Sequence, residues 1–306
     1  MRVLVTGASG HIGSALIPEL LDAGHQVVGL ARSDPSAAAL TAAGAEVHRG
    51  DLDDLAGLGE AAAAADGVIH LAFKHDAMFS GDAAGAQAAD LAAIQAIGAA
   101  LEGSGKPFVG TSGTLMLAVG GVTGRPGTEE DVLDGPGRIA AENALVALAD
   151  RGVRASVVRL PPLVHSDLDH HGFGPILIGL ARDAGAAGYP GDGANRWPAV
   201  HTLDAARAYR LALEHAPAGA RLHAVADEGV PFRAIAEAIG RQLGVPADSV
   251  APQDAGARFS FLGGFVSLDN PTSSERTRRL LGWEPTHAGL LEDLEAGHYF
   301  AEVTTS

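Results

Sequence analysis

Short apolar runs alternate with longer stretches of helical period through the first half of the chain. RVLVT (2–6), HQVVGLA (25–31), AEVHRG (45–50), GVIHLAF (67–73), KPFVGTS (106–112) and RASVVRL (154–160) read as parallel strands covered on both faces. Between them SALIPELLDAG, PSAAALTAAG, LAGLGEAAAAAD, AADLAAIQAIGAALEGSG and RIAAENALVALADRG place apolar residues at helical spacing, and three of these stretches end at Gly or Asp-Gly-like stops. Strict strand–helix alternation with crossovers of this length predicts an α/β fold with a doubly wound parallel sheet. Beyond Pro161 the pattern loosens. A Gly/Asp/His-rich loop, helices around 175–185 and 203–215, a strand at RLHAVAD, and helices at PFRAIAEAIGRQLG and SSERTRRLLG predict a smaller lobe. The expected division is a nucleotide-binding domain over 1–160 and a mainly substrate-binding lobe over 161–306, with about 190–215 returning to the first domain.

Composition narrows the partners more than the fold. In 306 residues, 47% hydrophobic and 19% charged residues supply a buried core and argue against disorder. Twenty-one basic against 37 acidic residues leave a net charge of −16 with no basic stripe, which argues against nucleic acid or an anionic membrane as partner. The chain has no cysteine, so disulfide and thiolate chemistry are excluded. It opens directly into a strand pattern, and no apolar run reaches the about 18 residues of a membrane span. A soluble cytoplasmic protein acting on a small molecule is the expectation.

The first candidate site follows the first strand. In TGASGHIG, Gly7 allows the sharp turn, Gly10 lets the backbone approach a pyrophosphate, and Gly13 permits close packing of the next helix. Ser9, His11 and Ile12 complete this cradle, which follows a strand, opens an amphipathic helix and begins a βαβ series. The second strand ends in Ala31, Arg32 and Ser33, with no carboxylate for ribose hydroxyls; an arginine and a small hydroxyl suit a 2′-phosphate, so NADP(H) is favoured over NAD(H). Asp51 and Leu52 fall at the adenine edge. Leu71, Ala72 and Phe73 fall near the dinucleotide's centre.

TGASGHIG, GDLDD, VIHLAF, VVRLPPLVH, WPAVHTLDAARAY and the closing LLGWEPT together resemble an extended or atypical short-chain dehydrogenase/reductase of the NAD-dependent epimerase/dehydratase family, over nearly the whole chain. The resemblance implies a Rossmann domain, a C-terminal substrate lobe and a site between them. It also implies a Ser or Thr after the fifth strand and a Tyr-x-x-x-Lys on the following helix, the tyrosine moving a proton and the lysine holding the nicotinamide ribose. The chain has only Tyr189, Tyr209, Tyr299, Lys74 and Lys106, in no such spacing. The fifth strand does end in Thr111, Ser112, Gly113 and Thr114. Anchored on Glu142, the helix places Arg138 at the lysine position and Asp134 at the tyrosine position; Arg138 keeps the positive charge but does not release a proton at neutral pH.

The resemblance further brings Pro161 and Leu163 past the nicotinamide carboxamide, followed by His165. In WPAVH, Trp197 is a candidate pocket wall, and His201 is either a structural hydrogen-bonding residue or a catalytic one. Lys74 and His75 are candidate pocket lining or plain loop residues. Asp167, Asp169, His170 and His171 crowd one loop without metal-ligand spacing, so no metal is expected and His171 is a substrate-loop candidate. Phe259, Phe261 and Phe265 are expected in the lobe core.

Three functions stay open at this level. The leading one is an NADPH-dependent reductase of an imine or activated carbonyl, in which Ser112, Thr114, His165, His201 or water serves any proton. A sugar-nucleotide epimerase or dehydratase and a non-catalytic NADP(H)-binding sensor are the alternatives. The resemblance also implies a possible homodimer, since the fourth and fifth helices offer the surface that extended family members use to dimerise.

Overall fold

Along β1 (Arg2–Thr6), Val3 and Val5 face one helix layer and Leu4 the other, and all three are fully buried. This two-sided burial removes polar alternation from the strands of a doubly wound sheet. The computed structural model describes residues 1–301. After β1 come α1 (His11–Asp22), β2 (Gln26–Ala31), α2 (Asp34–Ala42), β3 (Glu46–Arg49), α3 (Leu55–Ala64), β4 (Gly67–His70), α4 (His75–Phe79), α5 (Ala83–Leu101), β5 (Pro107–Gly113), α6 (Leu115–Val119), α7 (Arg138–Ala147) and β6 (Arg154–Leu160). The second half runs β7 (Leu163–His165), α8 (Phe173–Ala184), β8 (Ala187–Pro190), β9 (Arg196–His201), α9 (Thr202–His215), β10 (Ala220–His223), β11 (Asp227–Pro231), α10 (Phe232–Leu243), β12 (Ala247–Val250), α11 (Ala255–Phe259), α12 (Glu275–Leu281) and α13 (Leu290–Glu295).

Seven strands form the central sheet in the order β10-β6-β5-β4-β1-β2-β3, every pair parallel. All six strands read from the apolar runs are present. The order reverses direction at β1, between β2 and β4, and such a switch point opens a crevice at the carboxyl ends of the strands. One face carries α1, α2 and α9, with Leu16, Leu20 and Tyr209 in the core. The other carries α3, α5 and α7, with Ile94, Ile97 and Leu145. The structure differs from expectation at RLHAVAD. That strand does not belong to the lobe; β10 pairs with β6, Ala220 opposite Ser156, and becomes the seventh strand. After β6 the sheet edge still offers unpaired backbone groups, and α9 supplies the crossover that brings β10 to them.

In the lobe, β9 pairs antiparallel with β11 and parallel with β7, while β12 pairs parallel with β8. Its core gathers Trp197, Phe232, Ile235, Ile239, Leu177 and Leu262. Phe259 is buried there and Phe265 packs against it, but Phe261 is 39% exposed and meets Phe173 edge-on at 6.0 Å. No helix among the described residues is long and apolar enough to cross a membrane.

Candidate functional site

The loop between β1 and α1 shows why each glycine is there. Gly7 has φ +67°, and a Cβ on it would stand 2.7 Å from the Ala72 nitrogen. A Cβ on Gly13 would stand 2.3 Å from the Gly7 carbonyl oxygen. These two positions are closed by the protein's own backbone. Gly10 meets only the Gly7 carbonyl, at 3.2 Å, so the protein leaves space above it. Helices α2, α3 and α5 are capped by Ser33, Asp54 and Asp82, whereas α1 begins after Gly10 with no side-chain cap. Gly10 donates its own N–H to the Gly7 carbonyl at 3.0 Å, and the uncapped N–H groups of the first turn beyond this open glycine fit a pyrophosphate. Ser9 is exposed and Ile12 half-buried in this loop.

Just past β2, Arg32 is 70% exposed, and its ion-pair partner among the described residues is the exposed Asp76, at 3.3 Å. Ser33 also caps α2, where its Oγ accepts from the Ser36 N–H and donates to the Ser36 hydroxyl. Asp51 accepts from the backbone N–H groups of Asp53 and Asp54 and so shapes the turn after β3. Leu52 is buried with Leu30 and Leu58, and Ala72 packs on that cluster. Lys74 is tied to Asp53, 2.6 Å from each carboxylate oxygen.

Arg138 is the first residue of α7 and its side chain is 20% exposed. Nη1 donates to Asp90 Oδ2 at 2.8 Å, Nη2 donates to the Thr111 carbonyl at 3.0 Å, and the guanidinium lies 4.6 Å over the Phe73 ring. His75 meets Phe73 edge-on at 5.1 Å; burial of its ring, then the Arg138 charge, lower its pKa. Arg138, Thr111, Phe73 and His75 thus converge from α7, β5 and the segment after β4, beside Leu71. Asp134, at the expected tyrosine position, is an exposed residue ahead of α7. Asp90 carries no signal in the sequence, because α5 reads as an ordinary apolar helix.

Three expected site residues point elsewhere. Side chains alternate along β5, so Thr111 faces α9 and bonds Tyr209, while Ser112 faces α7 and is 3% exposed. Ser112 sits beside Glu142. Burial alone would raise the Glu142 carboxyl, but hydrogen bonds and charge from Arg159, with Arg221 adding to them, hold it below the usual range. Thr114 is fully buried and its hydroxyl accepts from Asn270 Nδ2 at 3.1 Å. Trp197 is likewise fully buried, 5.0 Å from the Phe232 ring, and is a core residue, not a pocket wall.

The histidines gather near the cradle. Pro161 and Leu163 are buried, and the neighbouring His165 is 2% exposed with Nδ1 2.9 Å from Asp293 Oδ2. Burial alone would raise Asp293, but its bonds to His165 and His298 hold it below the usual carboxylate range. An ionised Asp293 makes His165 Nδ1 the donor, and His165 Nε2 has no partner among the described residues. His201 accepts from the Leu203 N–H and stacks on His287 at 4.7 Å, and burial first, then His165 and His287, lower its pKa. The Thr202 hydroxyl donates to the His165 carbonyl, so His11 Nε2 donates to Thr202 at 2.7 Å and its Nδ1 faces Asp169 at 3.6 Å. Burial pushes His11 down to about 4, with help from His170, His165 and His201, and pushes Asp169 up to about 6. His171 is exposed beside His170. Among the described residues no group of three His, Asp or Glu is placed to hold a metal ion.

Three kinds of likeness bear on this site. An uncharacterized protein of Schizosaccharomyces pombe is 46% identical over 302 residues, covering 98% of this chain and 100% of that one. A 3-diazoavenalumate denitrifying reductase of a Streptomyces species is 30% identical over 309 residues, covering 94% and 97%. A crystal structure of a dTDP-glucose 4,6-dehydratase from Streptomyces venezuelae, with NAD bound, superimposes with TM-score 0.76 at 21% identity over 97% and 96% of the two chains. The model of the NAD dependent epimerase/dehydratase family matches residues 3–225, the span that carries the cradle, the sheet and Arg138, and the chain belongs to that family.

Proposed function

We propose that the protein is an NADP(H)-dependent reductase of an iminium-like or otherwise activated C=N or C=O carbon, working without a side-chain acid. The observation that carries this is Arg138 at the start of α7, where its guanidinium keeps its protons at neutral pH. The tyrosines are committed elsewhere. Tyr209 is buried, its pKa raised by burial, and because the Thr111 hydroxyl donates to the His70 carbonyl, the Tyr209 hydroxyl donates to Thr111. Tyr299 binds the Ser166 N–H and Tyr189 stacks with Arg233 in the lobe.

In this reading the N–H groups at the start of α1, beyond Gly10, hold the pyrophosphate, and Arg32 holds the 2′-phosphate. Arg138 orients the nicotinamide ribose, and the backbone around Pro161 and Leu163 sets the ring face. The reduced nicotinamide, when bound, supplies hydride. Reducing a neutral ketone develops an alkoxide, which needs an acid or a strong oxyanion site, whereas an iminium is neutralised by hydride and needs neither. The likeness to a reductase named for a diazo compound favours this reading, because such nitrogen electrophiles also take up hydride without forming an alkoxide. Sugar-nucleotide epimerisation and dehydration begin by removing a hydroxyl proton, a role for which Arg138 is unsuited.

The test is NADPH oxidation with a cyclic imine, its N-methyl iminium and the matching ketone. The iminium should exceed the ketone in kcat/KM by about 100-fold, the low end of what a general acid is worth to the ketone. A ketone turned over as fast as the iminium would sink the proposal.

A further inference from the structure

Asp90 lies in the middle of α5 at 2% exposure, on the buried side of the helix that also carries Ile94, Ile97 and Leu101. A buried charge is costly unless each oxygen is paired, and here both are. Oδ2 accepts from Arg138 Nη1 at 2.8 Å and Oδ1 lies 3.2 Å from His70 Nε2. Burial alone would raise this carboxyl, but the bonds and charges of His70 and Arg138 hold it below the usual range. An ionised Asp90 only accepts, so His70 Nε2 carries the proton and donates. His70 Nδ1 lies 2.7 Å from the Thr6 hydroxyl, and the Thr6 oxygen accepts the Ala72 N–H at 3.2 Å.

The line therefore runs from Thr6, immediately before Gly7, through His70 and Asp90 to the Arg138 guanidinium. Its first link holds the same Ala72 nitrogen that the missing Cβ of Gly7 lets come close. An arginine needs such support more than a lysine does, because a planar fork works in one orientation while an ammonium turns freely. With Nη1 on Asp90, Nη2 on the Thr111 carbonyl and Phe73 beneath, the fork's plane is set by three contacts before any ligand arrives.

We propose that Asp90 and His70 are positioning residues that fix the Arg138 guanidinium for the nicotinamide ribose, coupling it to the phosphate cradle through Thr6. This rests on the reading of Arg138 as a cofactor-holding group. Neither residue touches the cofactor; both act through Arg138.

A double-mutant cycle on the full chain separates this role from a structural one. NADPH affinity is measured by fluorescence titration for wild type, Asp90→Asn, His70→Gln, Arg138→Ala and the two doubles with Arg138→Ala, with Tm recorded for each. Asp90→Asn should weaken NADPH about tenfold and His70→Gln about threefold, and neither should cost further affinity once Arg138 is alanine. Full-sized losses that persist in the Arg138→Ala background would overturn the positioning role while leaving Arg138 on the cofactor. Unchanged affinity in Arg138→Ala itself would remove both the proposal and the reading beneath it. His70→Gln leaves the buried carboxylate paired with Arg138, and it carries the same comparison should Asp90→Asn fail to fold.

Discussion

At the proposed phosphate end of the site, Gly7, Gly10 and Gly13 shape a loop that leaves the first turn of α1 without a side-chain cap. At the other end, Arg138 is held through a line of side chains drawn from β1, β4 and α5. The first end is made of main chain, and what matters there is the absence of atoms. The second is made of paired donors and acceptors, and what matters is that each has its partner. A main-chain site tolerates little change in shape but needs no particular charge. A side-chain site tolerates a change of shape better than the loss of one proton or one oxygen.

The largest effect should come from breaking the main-chain end. Gly13→Val puts a branched side chain where even a Cβ lies 2.3 Å from a carbonyl oxygen, so it should cost about 3 kcal/mol or more and yield little folded protein. Gly10→Ala separates the two uses of glycine. Its Cβ meets a single protein atom, the Gly7 carbonyl oxygen, at a tight 3.2 Å, so the loss of Tm should be small beside that of Gly13→Val while NADPH affinity falls by about tenfold or more. Thermal unfolding and titration of one preparation check both, and a loss of Tm comparable to Gly13→Val would mean that Gly10 serves packing alone.

This contrast also explains what could be read from the sequence. The glycine spacing is local, so the cradle is legible, and so are the six strands, because two-sided burial makes them nearly uninterrupted apolar runs. Arg138 is legible through its spacing from Glu142. Its support is not, since Asp90 is 48 residues from Arg138 and 20 from His70, and nothing in AADLAAIQAIGAAL distinguishes a buried ion pair from a solvated aspartate. Ser112 departs from expectation because strand alternation assigns it to the face opposite Thr111, and β10 because an apolar strand does not announce which sheet it will join.

A nucleotide-selective effect is expected at the proposed adenosine end, where Arg32 is exposed. Arg32→Asp should weaken NADPH by about 30-fold and change NADH far less, since a charge-assisted contact becomes a repulsion. Equal losses for the two nucleotides would remove Arg32 from the 2′-phosphate.

The smallest effects concern protons held next to the cradle. His11, lowered to about 4, binds fewer protons folded than unfolded, so its share of stability is present above about 6.5 and is lost as pH falls toward 4. Asp169, raised to about 6 from 3.8, binds more protons folded, so its share is regained as pH falls from 6 toward 4. The two oppose each other. Urea midpoints without cofactor at pH 7, 6 and 5 should show a shallower acid loss in His11→Asn and a steeper one in Asp169→Asn. Three parallel curves would show that neither group is perturbed.

Hydride delivery that needs no proton from the enzyme is the central claim. The decisive measurement is kcat/KM for an N-methyl cyclic iminium without α-hydrogens, with saturating NADPH between pH 6 and 9, because that substrate has neither an N–H nor an α C–H proton to lose. A flat profile, with the parent imine falling as its own iminium deprotonates, is the predicted result. A profile for the N-methyl iminium that titrates, and becomes flat when His165 or His201 is replaced, would contradict the claim and name that histidine as the acid.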